Sequence, residues 1–242
     1  MSHSDIGTME TLQPWLDQVT HGDCLDVLAK LPAASVDLVL TDPPYLVRYR
    51  PRTGQSVHND TLRDGAKWLE PAFAQIARVL KPDSFCVSFY GWPEADRFLS
   101  VWKRCGLRPV SHFVWIKDYA SRKGYTESRH EMAYLLAKGS PGVPEHPPSD
   151  VLPWNYTGNL RHPTEKPVSA LLHLIEAYSQ RGGIVLDPFA GSGSTGVAAR
   201  IASRRTILIE KEWHHHRQTA ERLRKIGLSP SSPNSSAPHA RD

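Results

Sequence analysis

Short apolar runs alternate with longer helical segments through most of the chain. The short runs are rich in Val, Ile, Leu and Phe, which is typical of strands that are buried in a sheet. They predict strands over residues 36–40, 84–89, 109–116, 132–137, 184–187 and 206–210.

The longer segments predict helices over residues 25–30, 67–80, 94–104, 168–178, 194–202 and 212–226. Pro167 is expected in the first turn of the helix at 168–178, where the missing N–H of proline costs nothing. The alternation of strands and helices predicts an α/β fold, with a mostly parallel twisted sheet and helices on both faces.

The 242 residues, 40% of them apolar, are enough for one core and predict a single domain over residues 1–226. The segment 139–163 is polar and rich in proline, and we expect it to be a long surface connection. Residues 227–242 are rich in Ser and Pro and are predicted to be a disordered tail.

The formal charge of +4 and the pI near 9.0 permit a nucleic-acid partner without requiring one. The three cysteines show no C-x-x-C spacing, so we expect neither disulfides nor a structural metal. The adjacent histidines at 214–216 point in different directions on a helix and do not predict a metal site. The N-terminus lacks the apolar core of a signal peptide, and no apolar run is long enough to cross a membrane, which predicts a cytoplasmic protein without membrane contact.

Asp42-Pro43-Pro44-Tyr45 directly follows the first predicted strand. The two prolines fix φ and remove two N–H donors, so carbonyl oxygens and the Asp42 carboxylate are left to accept hydrogen bonds. Such acceptors suit an amino group, and Tyr45 supplies a flat face for a nucleobase that has left a duplex. A simple proline turn after a strand is the competing interpretation of this motif alone.

A second motif follows the predicted strand that ends at Asp187. Gly191, Gly193 and Gly196 satisfy G-x-G-x-x-G, in which glycines let the backbone approach a ligand and the helix N-terminus favours an anionic group. Glu210 ends the next strand about 20 residues later, where an acid commonly binds ribose hydroxyls. The ligand is therefore expected to contain a nucleoside.

A nicotinamide dinucleotide and S-adenosylmethionine both meet that requirement. An acid at position 187 would repel a pyrophosphate, whereas it would attract the ammonium and sulfonium groups of S-adenosylmethionine. The sequence therefore favours S-adenosylmethionine as the cofactor.

In this order, the motifs resemble those of the amino-group DNA methyltransferases of the permuted β type, in which Asp-Pro-Pro-Tyr precedes the cofactor turn. The resemblance extends from residue 22 to about residue 217 and implies a Rossmann-like methyltransferase fold. It implies that Asp23 meets the cofactor adenine, that Thr164 and Lys166 bind its carboxylate, and that Glu210 binds its ribose. The full set of implied cofactor residues is Asp23, Cys24, Thr164, Lys166, Asp187, Phe189, Gly191, Ser192, Gly193 and Glu210.

The resemblance also implies that Asp42, Pro43, Pro44 and Tyr45 are the catalytic residues. Asp42 and the Pro43 carbonyl would accept hydrogen bonds from the exocyclic amine of a flipped base, and Tyr45 would stack on that base. No Pro-Cys dipeptide occurs, so the ring-carbon cytosine enzymes are not resembled. In the resembled family, an aspartate at the position of Asp42 is associated mainly with N6 of adenine, so the resemblance favours adenine. Methylation of N4 of cytosine, of an RNA base or of a protein amide stays open as an alternative. An inactive DNA-binding relative also stays open.

Loops must then recognise the target in double-stranded DNA, and segments 46–65, 117–130 and 139–161 are available for this. The expected phosphate or groove contacts are Arg48, Arg50, Arg52, Arg122 and Lys123. The loops are short, so a homodimer that shares the DNA contact stays open. Four tryptophans at strand and helix positions, Trp92, Trp102, Trp115 and Trp213, are expected to be core or sheet-covering residues rather than base contacts.

Overall fold

The computed structural model describes residues 3–46, 62–120, 122–155 and 165–227. The strands in these ranges are β1 (Gln18–His21), β2 (Val36–Thr41), β3 (Leu80–Phe89), β4 (Leu107–Ile116), β5 (Arg122–Lys123), β6 (Glu127–Ser128), β7 (His130–Lys138), β8 (Val151–Pro153), β9 (Ile184–Asp187) and β10 (Arg205–Glu210). The helices are α1 (His3–Leu12), α2 (Cys24–Leu28), α3 (Leu62–Val79), α4 (Ala95–Arg104), α5 (Val168–Tyr178), α6 (Ser194–Ile201) and α7 (Trp213–Gly227), and a short 3-10 helix, Trp92–Glu94, precedes α4.

Eight strands form one sheet in the order β1-β10-β9-β2-β3-β7-β4-β8. β7 runs antiparallel to both of its neighbours, and the other pairings in this sheet are parallel. β5 and β6 pair separately as a small antiparallel hairpin. The prediction of a mostly parallel sheet is confirmed.

The middle residues of the central strands are apolar on both faces, because both faces of the sheet are covered. In β9, Ile184 and Leu186 join the hydrophobic cluster that contains residues of α2, α3 and α4. Val185 points the other way, into the cluster that contains residues of α5 and α6. Helices therefore cover both faces, as predicted, and no helix in the described ranges is both long and apolar enough to span a membrane.

The sequence pattern missed α1, β1, the β5–β6 hairpin and β8. β1 is a four-residue edge strand in which Val19 is the one buried residue, so it carries little apolar signal. β8 lies inside the segment that was predicted to be a surface connection, and it pairs with β4 at the opposite edge of the sheet. Pro153 is tolerated there because an edge strand can leave one side of its backbone unpaired.

Two predicted positions also need correction. β3 begins at Leu80, four residues before the expected start at Ser84. Pro167 does not lie in the first turn of α5 but directly before it, with φ −60° and ψ 134°. The extended backbone at Pro167 continues from the buried residues Glu165 and Lys166, so the helix starts only at Val168.

Candidate active site

The chain changes direction across the sheet between β2 and β9. It passes from β2 to β3 on one side and from β9 to β10 on the other, and in such sheets ligands bind in the crevice that opens at the carboxyl ends of the strands. We call this end of the sheet the catalytic edge. Asp42 follows β2 and Asp187 ends β9, and the Thr41 hydroxyl donates to Asp187 Oδ1 at 3.1 Å. The two predicted motifs therefore lie side by side.

The Asp42 carboxylate is held by a buried ammonium group. Lys166 Nζ lies 2.5 Å from Asp42 Oδ2, and the two side chains are 7% and 20% exposed respectively. The same ammonium lies 5.5 Å from the ring centroid of Tyr45 and 4.9 Å from that of Phe89. Asp42 Oδ1 is buried and has no hydrogen-bond partner among the described residues. One carboxylate oxygen is thus oriented while the other remains an acceptor.

Burial raises the pKa of the Asp42 carboxyl above its ordinary value, and the Lys166 ammonium opposes this rise. The pKa of the Tyr45 phenol is also raised, first by burial and then by the negative charge of Asp42. Tyr45 therefore stays protonated, and the charge of Asp42 depends on Lys166.

Gly91, just beyond β3, allows residues 42–45, the predicted catalytic loop, to approach the sheet. A Cβ atom at position 91 would lie 2.8 Å from Tyr45 Cβ and 3.1 Å from the Tyr45 carbonyl oxygen. Only glycine fits this approach without displacing Tyr45. The sequence interpretation missed Gly91, although a glycine directly after an apolar strand is a recognisable signal for such an approach.

The glycine-rich turn after β9 has the conformation that the motif predicted. Gly191 and Gly193 have φ values of 50° and 77°, which favour glycine. A Cβ atom at Gly193 would lie 2.5 Å from Thr219 Cγ2, and one at Gly196 would lie 2.5 Å from Leu208 Cδ1. The Thr219 hydroxyl also donates to the Gly191 carbonyl oxygen at 2.7 Å. The first residues of α6 are therefore packed closely against β10 and α7.

Glu210 joins this turn to the end of β10. Its Oε2 accepts a hydrogen bond from Gly191 N at 2.8 Å, and its Oε1 accepts one from Glu212 N at 2.7 Å. A carboxylate oxygen can accept more than one hydrogen bond, so the carboxylate can still receive hydroxyl donors. Burial raises the pKa of Glu210. This arrangement fits the vicinal hydroxyls of a ribose.

Asp187 supplies a second buried acid at the catalytic edge. Burial raises its pKa to about 7, against the hydrogen bonds that it accepts from Thr41 and from Phe189 N. A cationic ligand would favour the ionised form of this carboxyl. The buried acid, the glycine turn and Glu210 together fit the sulfonium, carboxylate and ribose groups of S-adenosylmethionine.

The other predicted cofactor residues surround this turn. Asp23 caps α2 through Leu25 N at 3.0 Å and pairs with Lys211 Nζ at 3.0 Å. Cys24 packs in the core, and burial raises the pKa of its thiol to about 12. The Phe189 ring contacts Trp68, with ring centroids 5.3 Å apart.

Three further predicted site residues are Ser192, Pro43 and Pro44. The Ser192 hydroxyl lies 3.2 Å from that of Ser194 at the start of α6. Pro43 and Pro44 continue from Asp42 at the end of β2, with Pro43 buried. The roles of these three residues stay predictions.

Several predicted residues lie outside the described ranges, and they are Thr164, Arg48, Arg50 and Arg52. The backbone of Arg122 and Lys123 forms β5, in the connection between β4 and β7. β4 ends and β7 begins at the catalytic edge. The connection that contains Arg122 and Lys123 is therefore at the end of the sheet where DNA contacts are predicted.

The expectation for the tryptophans is half right. Trp102 and Trp115 are fully buried, as predicted, but Trp92 is 70% exposed and Trp213 is 57% exposed. Trp92 starts the 3-10 helix beyond β3, and Trp213 is the first residue of α7. Both lie just past the end of a strand, where the sheet no longer offers a surface to cover.

Sequence reasoning also missed a link between the two halves of the site. Arg222 of α7 lies 3.2 Å from Glu165 Oε1, and Arg222 donates to the Ser192 carbonyl oxygen at 2.8 Å. Glu165 is the neighbour of Lys166, so this contact ties the lysine segment to the glycine turn. An arginine on a polar helix face gives no signal of such a role. In the part of the chain that the structure describes, no cluster of three or more His, Cys, Asp or Glu side chains is arranged for a metal ion.

Residues 36–221, which contain both motifs, match the sequence family of N6/N4 DNA methylases. The chain belongs to this family. S-adenosylmethionine is the methyl donor of N6/N4 DNA methylases, which agrees with the groups present at the catalytic edge.

Two relatives and two solved structures set this DNA methylase in context. The chain is 48% identical to the Escherichia coli (strain K12) protein YubD, named as a methylase, over 87% of this chain and 92% of YubD. It is 29% identical to the DNA adenine methyltransferase YhdJ of the same strain, over 79% of this chain and 77% of YhdJ.

The fold of the DNA methylase is also found in crystal structures. The complex of M1.HpyAVI with S-adenosylmethionine superposes with a TM-score of 0.67 at 22% identity, over 85% of this chain and 98% of that one. The cytosine-N4-specific PvuII DNA methyltransferase superposes with a TM-score of 0.68 at 19% identity, over 86% and 90%. These likenesses confirm the Rossmann-like methyltransferase fold.

Proposed function

We propose that the protein methylates the exocyclic N6 of adenine in double-stranded DNA. The observation that carries this proposal is the buried Asp42 carboxylate, whose Oδ2 is held by Lys166 and whose Oδ1 lies beside Tyr45, next to a turn that fits a nucleoside cofactor. An acceptor in a desolvated site interacts strongly with the N–H group of an amine.

The reacting amine is a poor nucleophile because its lone pair is delocalised into the ring. S-adenosylmethionine, when bound, supplies an electrophilic methyl group on a sulfonium centre. Asp42 Oδ1 and the Pro43 carbonyl accept the two N–H groups of the amine and favour a pyramidal nitrogen. When the amine nitrogen takes the methyl group, the carbon–sulfur bond would break and the sulfur would leave as a neutral thioether. The nitrogen then loses one proton, which the Asp42 carboxylate would accept. Positioning and electrostatics suffice for this reaction, so no enzyme nucleophile is needed.

The choice of adenine over cytosine rests on two supports. An aspartate stands at position 42, and the relative YhdJ is named an adenine methyltransferase. The PvuII enzyme, which is cytosine-N4-specific, has the same fold, so the fold alone does not choose the base.

DNA from cells that express the protein should contain N6-methyladenine at a defined sequence, and DNA from cells that express Asp42→Ala should lack it. Mass spectrometry of the nucleosides identifies the base, and sequencing of modified positions gives the site. Detection of N4-methylcytosine alone would show that cytosine, and not adenine, is the substrate. If neither the cellular DNA nor DNA incubated with purified protein and labelled cofactor became methylated, the protein would be an inactive DNA-binding relative.

Glu210 is proposed to hold the cofactor ribose. The variant Glu210→Gln should bind S-adenosylmethionine about 10-fold more weakly, because a hydrogen bond to a charged group is replaced by one to a neutral amide. Isothermal titration calorimetry gives this affinity. Glu212→Gln removes a neighbouring charge and is the matched control, with unchanged affinity expected. Equal losses in the two variants would contradict a specific role for Glu210.

Arg48, Arg50, Arg52, Arg122 and Lys123 are proposed to contact the DNA backbone or grooves. Arg122 and Lys123 lie in the connection from β4 to β7, which begins and ends at the catalytic edge. The short recognition segments favour sharing of the DNA contact between two subunits, and we propose a homodimer on DNA.

A further inference from the structure

Three aromatic side chains are largely exposed in the described ranges, and all of them belong to the catalytic edge. Trp92 follows β3 and is 70% exposed, Tyr125 lies between β4 and β7 and is fully exposed, and Trp213 follows β10 and is 57% exposed. A single exposed apolar residue is ordinary, so the position of each ring relative to the Asp42–Tyr45 segment decides whether it is a candidate DNA contact.

Trp92 is the one of these three that adjoins the catalytic loop. Its neighbour Gly91 packs directly on Tyr45, as the 2.8 Å approach of a hypothetical Cβ atom shows. Consecutive Cα atoms are about 3.8 Å apart, so the Cα atom of Trp92 lies within about 8 Å of Tyr45 Cβ. An indole at this position is within reach of a base that enters beside Tyr45.

The backbone around Trp92 forms a short turn just beyond β3. Tyr90, two residues earlier, turns inward, and its hydroxyl lies 2.9 Å from His112 Nε2. Trp92 then begins a 3-10 helix that contains Pro93, and Glu94 N donates to the Gly91 carbonyl oxygen at 3.0 Å. The exposed ring is therefore carried on a short, constrained turn.

The charges near Trp92 do not favour a phosphate. Glu94 pairs with Arg97 at 3.2 Å, and Asp96 adds a further carboxylate on the same turn. The surface here offers a flat aromatic face without an excess of cations. Base stacking, which every nucleobase permits, is the contact that suits such a surface.

We propose that the Trp92 indole stacks on the target base where this base enters the site beside Tyr45. The inference rests on the proposed DNA methylation. It assigns to Trp92 a stacking contact that the sequence pattern did not predict.

Three proteins test this contact, namely Trp92→Ala, Trp92→Phe and, as a matched control, Trp213→Ala. Trp92→Ala should bind a duplex that contains the methylated sequence about 10-fold more weakly, because stacking on one base contributes about 1–3 kcal/mol. Trp92→Phe keeps a flat ring and should retain most of the affinity. Trp213→Ala removes a similarly exposed indole from the β10 end of the sheet and should bind DNA normally. Fluorescence anisotropy of a labelled duplex measures all three affinities.

The same measurements on a duplex with an abasic nucleotide at the methylated position identify the stacked base. The ratio of affinities between the unmodified protein and Trp92→Ala should fall to about one, since no base is left to stack. The dependence of binding on salt should be the same in both proteins, because no phosphate contact is lost.

Equal binding of normal duplex by Trp92→Ala and the unmodified protein would overturn the inference. A loss that persists on the abasic duplex would also overturn it, because the ring would then contact something other than the target base. Failure of the proposed function is a separate result, in which the unmodified protein neither binds nor methylates DNA.

Discussion

Replacement of Asp42 by asparagine should lower the rate of DNA methylation by about 10²- to 10³-fold, the loss that follows removal of one preorganised hydrogen-bonding group from an active site. Asparagine has the shape of aspartate, but it loses the negative charge and presents an N–H₂ group to the site. The target amine would then face a donor, and Lys166 would lose its partner at 2.5 Å. Single-turnover transfer of labelled methyl groups to DNA measures the effect.

Asp37→Asn is the matched control for this substitution. Asp37 lies on the same strand at the opposite end, where it pairs with Lys81 at 2.7 Å. This variant should methylate DNA at the normal rate per folded molecule, and Asp42→Asn should still bind S-adenosylmethionine. A near-normal rate for Asp42→Asn would show that the amine is held by other groups.

Lys166→Met should move the acid limb of the pH–rate profile to higher pH by about 1 to 3 units, the range by which a close opposite charge shifts a carboxyl pKa. The ammonium lowers the pKa of Asp42, while burial raises it. Without the ammonium, the carboxyl stays protonated to a higher pH, and only the ionised form accepts both N–H and proton. Activity should therefore fall at pH values where the unmodified protein is still active, and it should be regained as the pH is raised further.

Lys166→Arg keeps a cation and should leave the limb closer to its normal position, and Lys81→Met, at the other end of β2, should leave it unchanged. The resemblance to the family assigns Lys166 to the cofactor carboxylate instead. That role alone predicts weaker cofactor binding with an unmoved acid limb. The two measurements together distinguish the roles.

Local patterns predicted the elements that carry the site. The bounds of α5 and β9 are as expected, because Pro167 marks the start of the helix and Asp187-Pro188 marks the end of the strand. The two motifs were predicted as strand-end loops, and the parallel pairing of β2 with β9 brings them together. Periodicity and turn chemistry are local properties, so a single sequence is enough to reveal them.

Contacts between distant parts of the chain were not predictable in the same way. Lys166 and Asp42 are 124 positions apart, and nothing in either segment indicates that an ammonium of one pairs with the carboxylate of the other. The exposure of Trp92 was also missed, because an apolar pattern shows that a strand exists but not where its last residues leave the protein surface. Tertiary packing decides both features.

The pairing of β2 with β9 fixes the geometry of the site independently of the loops. Val39 lies opposite Leu186, and the Thr41 hydroxyl donates a hydrogen bond to Asp187. The register of these two buried strands therefore sets the spacing between Asp42, the proposed amine acceptor, and Asp187, on the proposed cofactor side. The segments expected to read DNA are attached outside this register. Such an enzyme can acquire a new target sequence by exchange of loops while the geometry of its chemistry is inherited intact.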